Sequence, residues 1–139
     1  MNATFASPTA RTPAAIDVLV VDDERDLLMA IGEYLQCHGF SVLTALDTEG
    51  AMRHLGESRI SLVVLDVKLA GEDGLKLLDF IKLTQPSIPV VLFTGMPHDQ
   101  KQVQDLLLRG ATCYVDKSQS PEALVYAIRE ARRQYTLNE

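Results

Sequence analysis

The stretch that decides the reading is "VLVVDDERDLL", Val18 to Leu28. An apolar run ends abruptly in Asp22, Asp23, Glu24 and Arg25. Continuous apolar runs mark strands covered on both faces. Beyond the acids, Leu27, Leu28, Ile31, Tyr34 and Leu35 recur every three or four residues, the spacing of a helix with one apolar side. A buried strand therefore feeds an amphipathic helix, and adjacent acids sit at the junction, where they repel each other.

Working outward, the same alternation fills the chain. Strand-like runs are "IDVLVV" (16–21), "FSVLTA" (40–45), "SLVVLDV" (61–67), "PVVLFT" (89–94) and "TCYVD" (112–116). Helical spacing lies between and after them: Leu75, Leu77, Leu78 and Ile81 in one segment, and Ala123, Leu124, Ala127, Ile128 and Ala131 in the last. Gly39, Gly56 and Gly110 are expected to stop the first, second and fourth helices, and Pro86 follows the third. Asp47 and Asp73 are expected N-caps, and Ser120-Pro121-Glu122 reads as a helix start. The pattern is (βα)5, an α/β chain with a parallel sheet and helices on both faces. The first, third and fourth strands are the most continuously apolar. The second and fifth alternate and belong at the edges. This predicts the order 2-1-3-4-5, the flavodoxin-like arrangement, whose crevice opens beyond the C-terminal ends of strands one and three.

With 139 residues the chain suffices for one domain with a proper core. We divide it into a flexible tail over 1–15, a domain over 16–134 and a short tail over 135–139. Net charge is −6, with no basic run, which argues against direct nucleic-acid binding. No apolar stretch approaches a membrane span, and "MNATFASPTARTPAA" lacks the features of a signal peptide, so a cytoplasmic location is expected. Cys37 and Cys113 are isolated and form no CxxC pair; they read as reduced, packed thiols.

The predicted order answers the question of the acids. Asp22 and Asp23 end strand one, Asp66 ends strand three, Thr94 ends strand four and Lys117 follows strand five. Three carboxylates should converge at one rim. Two unit charges 5 Å apart repel by roughly 3 kcal/mol at an effective dielectric near 20, and a hard divalent cation such as Mg²⁺ relieves that. A metal, an ammonium and a hydroxyl around one Asp suit a phosphoryl group. Each residue alone has a plainer use: the acids as helix caps, Thr94 as a cap, Lys117 as a surface charge. Their joint placement at successive strand ends is the specific signal.

Here the chain resembles the receiver domains of two-component signalling, the response-regulator family, over about 16–133. "VLVVDDE" resembles the family's acidic motif. "LVVLDVKLAGEDG" resembles the phosphoacceptor segment, with Asp66 as acceptor and Gly74 at the family's Gly position. "VVLFTG" supplies the switch hydroxyl Thr94, and "CYVDK" the switch aromatic Tyr114 ahead of Lys117. The resemblance implies Mg²⁺ (or Mn²⁺) held by Asp23, by Asp22 mainly through water, by Asp66 and by the backbone carbonyl of Lys68. Three departures stand out. Ser118 replaces the usual Pro after the Lys, so a trans bond is expected, since a non-proline cis bond costs about 3–4 kcal/mol. Ala70 stands where Pro is common, and Gly95 where Ala is commoner.

The implied cycle is transfer from a phosphohistidine on a histidine kinase or phosphotransfer protein to Asp66, then hydrolysis. Lys68 and Met96 border the attack path. Phosphorylation draws Thr94 inward and lets Tyr114 turn, changing the surface of helix four, strand five and helix five. That surface is expected to control a protein target, and phosphorylation-dependent homodimerisation through it is a further expectation. The chain reads as a stand-alone signalling phosphoacceptor rather than an enzyme acting on other substrates. The alternatives are a segment of a hybrid histidine kinase or longer regulator, and a degenerate receiver used only for interaction. A haloacid-dehalogenase-type phosphatase also uses Asp and Mg²⁺, but its nucleophile ends strand one in a DxD pattern, whereas "DDE" stands there.

Overall fold

The computed structural model describes residues 14–69, 72–95 and 100–137, without the side chains of 72, 73 and 135–137. Five parallel strands form the sheet: β2 (Val18–Val21), β3 (Val42–Ala45), β5 (Val63–Leu65), β8 (Val90–Thr94) and β9 (Cys113–Asp116). Their order is β3-β2-β5-β8-β9, which is the expected 2-1-3-4-5. The helices are α1 (Arg25–Cys37), α2 (Thr48–Glu57), α3 (Leu75–Thr84), α4 (Gln100–Leu108) and α5 (Pro121–Leu137). Strand alternation separates two cores. Leu19, Val21, Val63, Leu65, Val90 and Leu92 pack with Leu55, Leu78, Ile81 and Leu106 from α2, α3 and α4. Val18, Val20, Val64, Val91 and Phe93 pack with Leu28, Ile31, Leu35, Leu124 and Ile128 from α1 and α5. Covered on both sides, β2 and β5 are wholly apolar and wholly buried, and their C-terminal ends are held fixed side by side.

Several expectations shift. Two short pairs escape a periodicity reading: β1 (Ala15–Ile16) lies parallel to β4 (Arg59–Ile60), and β6 (Lys68–Leu69) lies antiparallel to β7 (Glu72–Asp73). Ala15, read as the end of the flexible tail, is therefore in a strand; residues 1–13 of that tail lie outside the described residues. Gly56 does not stop α2, which continues to Glu57 with Ser58 at its C-cap. Asp73 does not cap α3, because it pairs with Lys68 and Gly74 takes the N-cap position. Asp47 does cap α2, its Oδ1 accepting the Gly50 N–H at 2.7 Å. Gly39 and Gly110 follow α1 and α4 with φ of 91° and 119°, a left-handed turn that glycine makes without strain. Helix α5 reaches Leu137, beyond the expected end near Arg133. Cys37, expected to be packed, is exposed in the last turn of α1; Cys113 is half-buried, and burial raises its thiol pKa. No described helix is long and apolar enough to cross a membrane.

Candidate functional site

Parallel pairing brings the strand ends together. Val21 faces Leu65 across β2 and β5, and the Asp66 N–H donates to the Val21 carbonyl at 3.0 Å. The next residues of each strand, Asp22 and Asp66, are thus neighbours. Both are buried, at 2% and 6% exposure, while Asp23 is exposed. One carboxylate oxygen from each of Asp22, Asp23 and Asp66 lies within 4.8 Å of the others. Hard oxygen donors at this separation fit a divalent cation of the Mg²⁺ or Mn²⁺ type. The described residues thus form the acidic pocket expected from the sequence.

Lys117 completes the cluster from the β9–α5 loop. Its N–H donates to the Thr94 carbonyl at 2.8 Å, fixing the loop to the end of β8. Its Nζ reaches Asp22 Oδ2 at 2.7 Å, Glu24 Oε1 at 3.1 Å and Asp66 Oδ2 at 3.3 Å. The second Asp22 oxygen accepts the Glu24 N–H at 2.9 Å, and the second Asp66 oxygen accepts the Lys68 N–H at 3.3 Å. Burial pushes Asp66 up to about 6, aided by the Asp22 charge and opposed by Lys117 and the Lys68 N–H. Burial opposes the charge on Lys117, yet the carboxylates outweigh it and its pKa is raised. Burial thus disfavours the Asp66 anion, which gives it a reason to accept a further cation.

Thr94 is buried at the end of β8. Tyr114 lies on the edge strand at 42% exposure, outside the acidic cluster. At Gly74 a Cβ would stand 3.1 Å from the Asp66 carbonyl and 3.3 Å from that of Val67, so a side chain there would push the acceptor loop. Ser118 donates its N–H and hydroxyl to Asp116 Oδ1, both at 2.8 Å, which orders the loop at the position where the family usually has Pro. At Gly95 a Cβ would touch the Lys117 stem at 3.6 Å, so glycine leaves that side of the stem uncovered. Ala70 and Met96 lie outside the described residues. Glu24 is the site residue that the sequence reading left without a role. Its only signal was adjacency to Asp22 and Asp23, since its partner is 93 residues away.

The model of the response regulator receiver domain matches residues 18–129. The chain belongs to that family. Among curated relatives, the nitrogen assimilation regulatory protein NtrX of Azorhizobium caulinodans is 37% identical over 113 residues, which is 80% of this chain and 25% of that protein. The regulatory protein VanRc of Enterococcus gallinarum is 35% identical, covering 85% of this chain and 50% of its own length. This receiver thus spans a quarter to a half of these relatives. The crystal structure of the receiver domain of NtrX from Brucella abortus is 33% identical with a TM-score of 0.79, covering 84% of this chain and 98% of that one. A CheY-like receiver from Methanospirillum hungatei, 22% identical with a TM-score of 0.82 over 92% of this chain and all of that one, shares the fold.

Proposed function

We propose that this receiver accepts a phosphoryl group on Asp66 from a phosphohistidine of a histidine kinase or phosphotransfer protein, and that this controls a protein target in the cytoplasm. The reading rests chiefly on one observation: a single ammonium spans Asp22 and Asp66 at 2.7 and 3.3 Å within a group of three carboxylates. An Asp66 oxygen bonds to phosphorus as the P–N bond breaks, and the electron pair leaves with the imidazole nitrogen. With a pKa of about 6, Asp66 is ionised and nucleophilic at neutral pH. Asp22, Asp23, Asp66 and the Lys68 carbonyl would hold Mg²⁺ (or Mn²⁺), which supplies positive charge against the phosphoryl oxygens. Lys117 supplies a second positive charge, and the Thr94 hydroxyl donates a hydrogen bond to the new group. Phosphorylation adds roughly −1.5 to −2 charges, enough to draw Thr94 inward and reposition Tyr114 on β9. The surface of α4, β9 and α5 is the proposed readout, through a target or through a second copy of the chain.

Intact mass after incubation with acetyl phosphate tests this. The expected result is one added phosphoryl group with Mg²⁺, none without it and none in Asp66→Asn. Absence of the adduct, together with failure to bind fluoroberyllate, would overturn the phosphoacceptor reading and favour a domain used only for interaction.

A further inference from the structure

Glu24 occupies the N-cap position of α1, yet its side chain makes no cap hydrogen bond. It reaches instead across the crevice mouth to Lys117 at 3.1 Å. Its backbone N–H is pinned to Asp22 Oδ1, which holds the β2–α1 turn under the ammonium. The three carboxylates around Nζ differ in burial: the side chains of Asp22 and Asp66 are 3% and 8% exposed, that of Glu24 is 64% exposed. They also differ in use. Asp22 and Asp66 belong to the grouped carboxylates with Asp23; Glu24 does not.

An ammonium and a divalent cation would share the Asp22 and Asp66 carboxylates, and like charges drawn to one carboxylate repel. A metal held by the three carboxylates would weaken the hold of Lys117 on Asp22 and Asp66. A lysine released without a counter-ion in a half-buried crevice is costly. Glu24 offers it a carboxylate outside the metal's set and already in contact.

We infer that Glu24 is a positioning residue that keeps hold of Lys117 while the metal takes Asp22 and Asp66, so that metal binding does not strand the ammonium. The inference rests on the metal reading above and adds a residue outside the acceptor, hydroxyl and ammonium set. Rim ion pairs are weak, so the expected effect is modest: loss of Glu24 weakens metal binding by about fivefold.

Free Mn²⁺ measured by electron paramagnetic resonance, with Mg²⁺ as competitor, gives the affinity without phosphorylation. Glu24→Gln and Glu24→Asp are compared with the parent chain, and each is repeated with Lys117→Ala; thermal melts establish that all are folded. Lys117→Ala removes the competing cation and should tighten binding. Glu24→Gln should weaken it in the parent. Glu24→Asp keeps the charge but lacks the reach, and should behave like Gln. Both effects should fall below about twofold when Lys117 is absent. Equal weakening with and without Lys117 would overturn the inference, making Glu24 a general negative charge. So would an unchanged affinity in Glu24→Gln, or a Glu24→Asp variant that binds like the parent. A parent chain that binds neither ion removes the metal reading itself and the inference with it.

Discussion

At the scale of single residues, the site is a concentration of unfavourable charge. Asp66 titrates near 6 against 3.8 for a free side chain, chiefly because it is buried. Between those values the folded protein binds more protons than the unfolded chain, so stability falls as pH rises through this window. Above about pH 6 the ionised group costs the metal-free protein about 3 kcal/mol. Asp66→Asn resembles the neutral form and escapes this cost. In chelator, it should therefore be more stable than the parent at pH 7 by about 2–3 kcal/mol, with the advantage vanishing below about pH 4. Urea melts across pH 3.5 to 8 read this directly. A variant equal to or weaker than the parent at pH 7 would mean that the Lys117 contact outweighs burial. Glu24 shows why single residues are hard to read from sequence: its place depends on a loop 93 residues away, and neither its type nor its neighbours carry that information.

At the scale of elements, legibility follows length and burial. The five strands of the main sheet and the helical stripes repeat over enough residues for periodicity to mark them, and β3 and β9 betray their edge positions by alternating. The strand ends marked Asp22, Asp23, Asp66 and Lys117, whose side chains meet in one cluster, and Thr94, which is buried at the end of β8. The pairs β1–β4 and β6–β7 are two residues per strand, too short for any period, and form because the folded core brings their segments together. The Asp73 cap failed for the same reason, since β7 claims that residue. The β6–β7 hairpin returns the chain to α3 at Gly74, whose N–H donates to the Val67 carbonyl at 2.8 Å. Gly74→Ala would place a methyl at 3.1 Å from the Asp66 carbonyl, and backbone on both sides leaves little room to relax. The expected cost is about 1–3 kcal/mol in stability, with slower phosphorylation by acetyl phosphate because the acceptor loop is displaced. Glycine is needed here for close approach alone, since its φ is −73°. Unchanged stability and rate in the alanine variant would show that α3 can shift outward without moving Asp66.

At the scale of the whole molecule, the sheet couples the site to global stability. Asp22 and Asp66 directly follow β2 and β5, two strands with an apolar core on each face. Unfolding must separate them, so a cation that holds them together stabilises the entire fold rather than one loop. A ligand that binds only the folded state adds RT ln(1 + [L]/Kd), about 1.4 kcal/mol at ten times its dissociation constant. For a chain of this size that corresponds to a rise in Tm of about 5 °C. Mg²⁺ at that level should produce the rise in the parent chain. NaCl at matched ionic strength should produce much less, although the net charge of −6 also gains from screening. Asp23→Asn separates the two contributions. Asp23 is exposed and its loss leaves the buried pair intact, so the metal-dependent rise should shrink while the response to NaCl stays nearly the same. Equal melting temperatures in Mg²⁺ and matched NaCl would show that the carboxylates lower stability without recovering it through a cation. Lys117 would then be the charge that holds the site together.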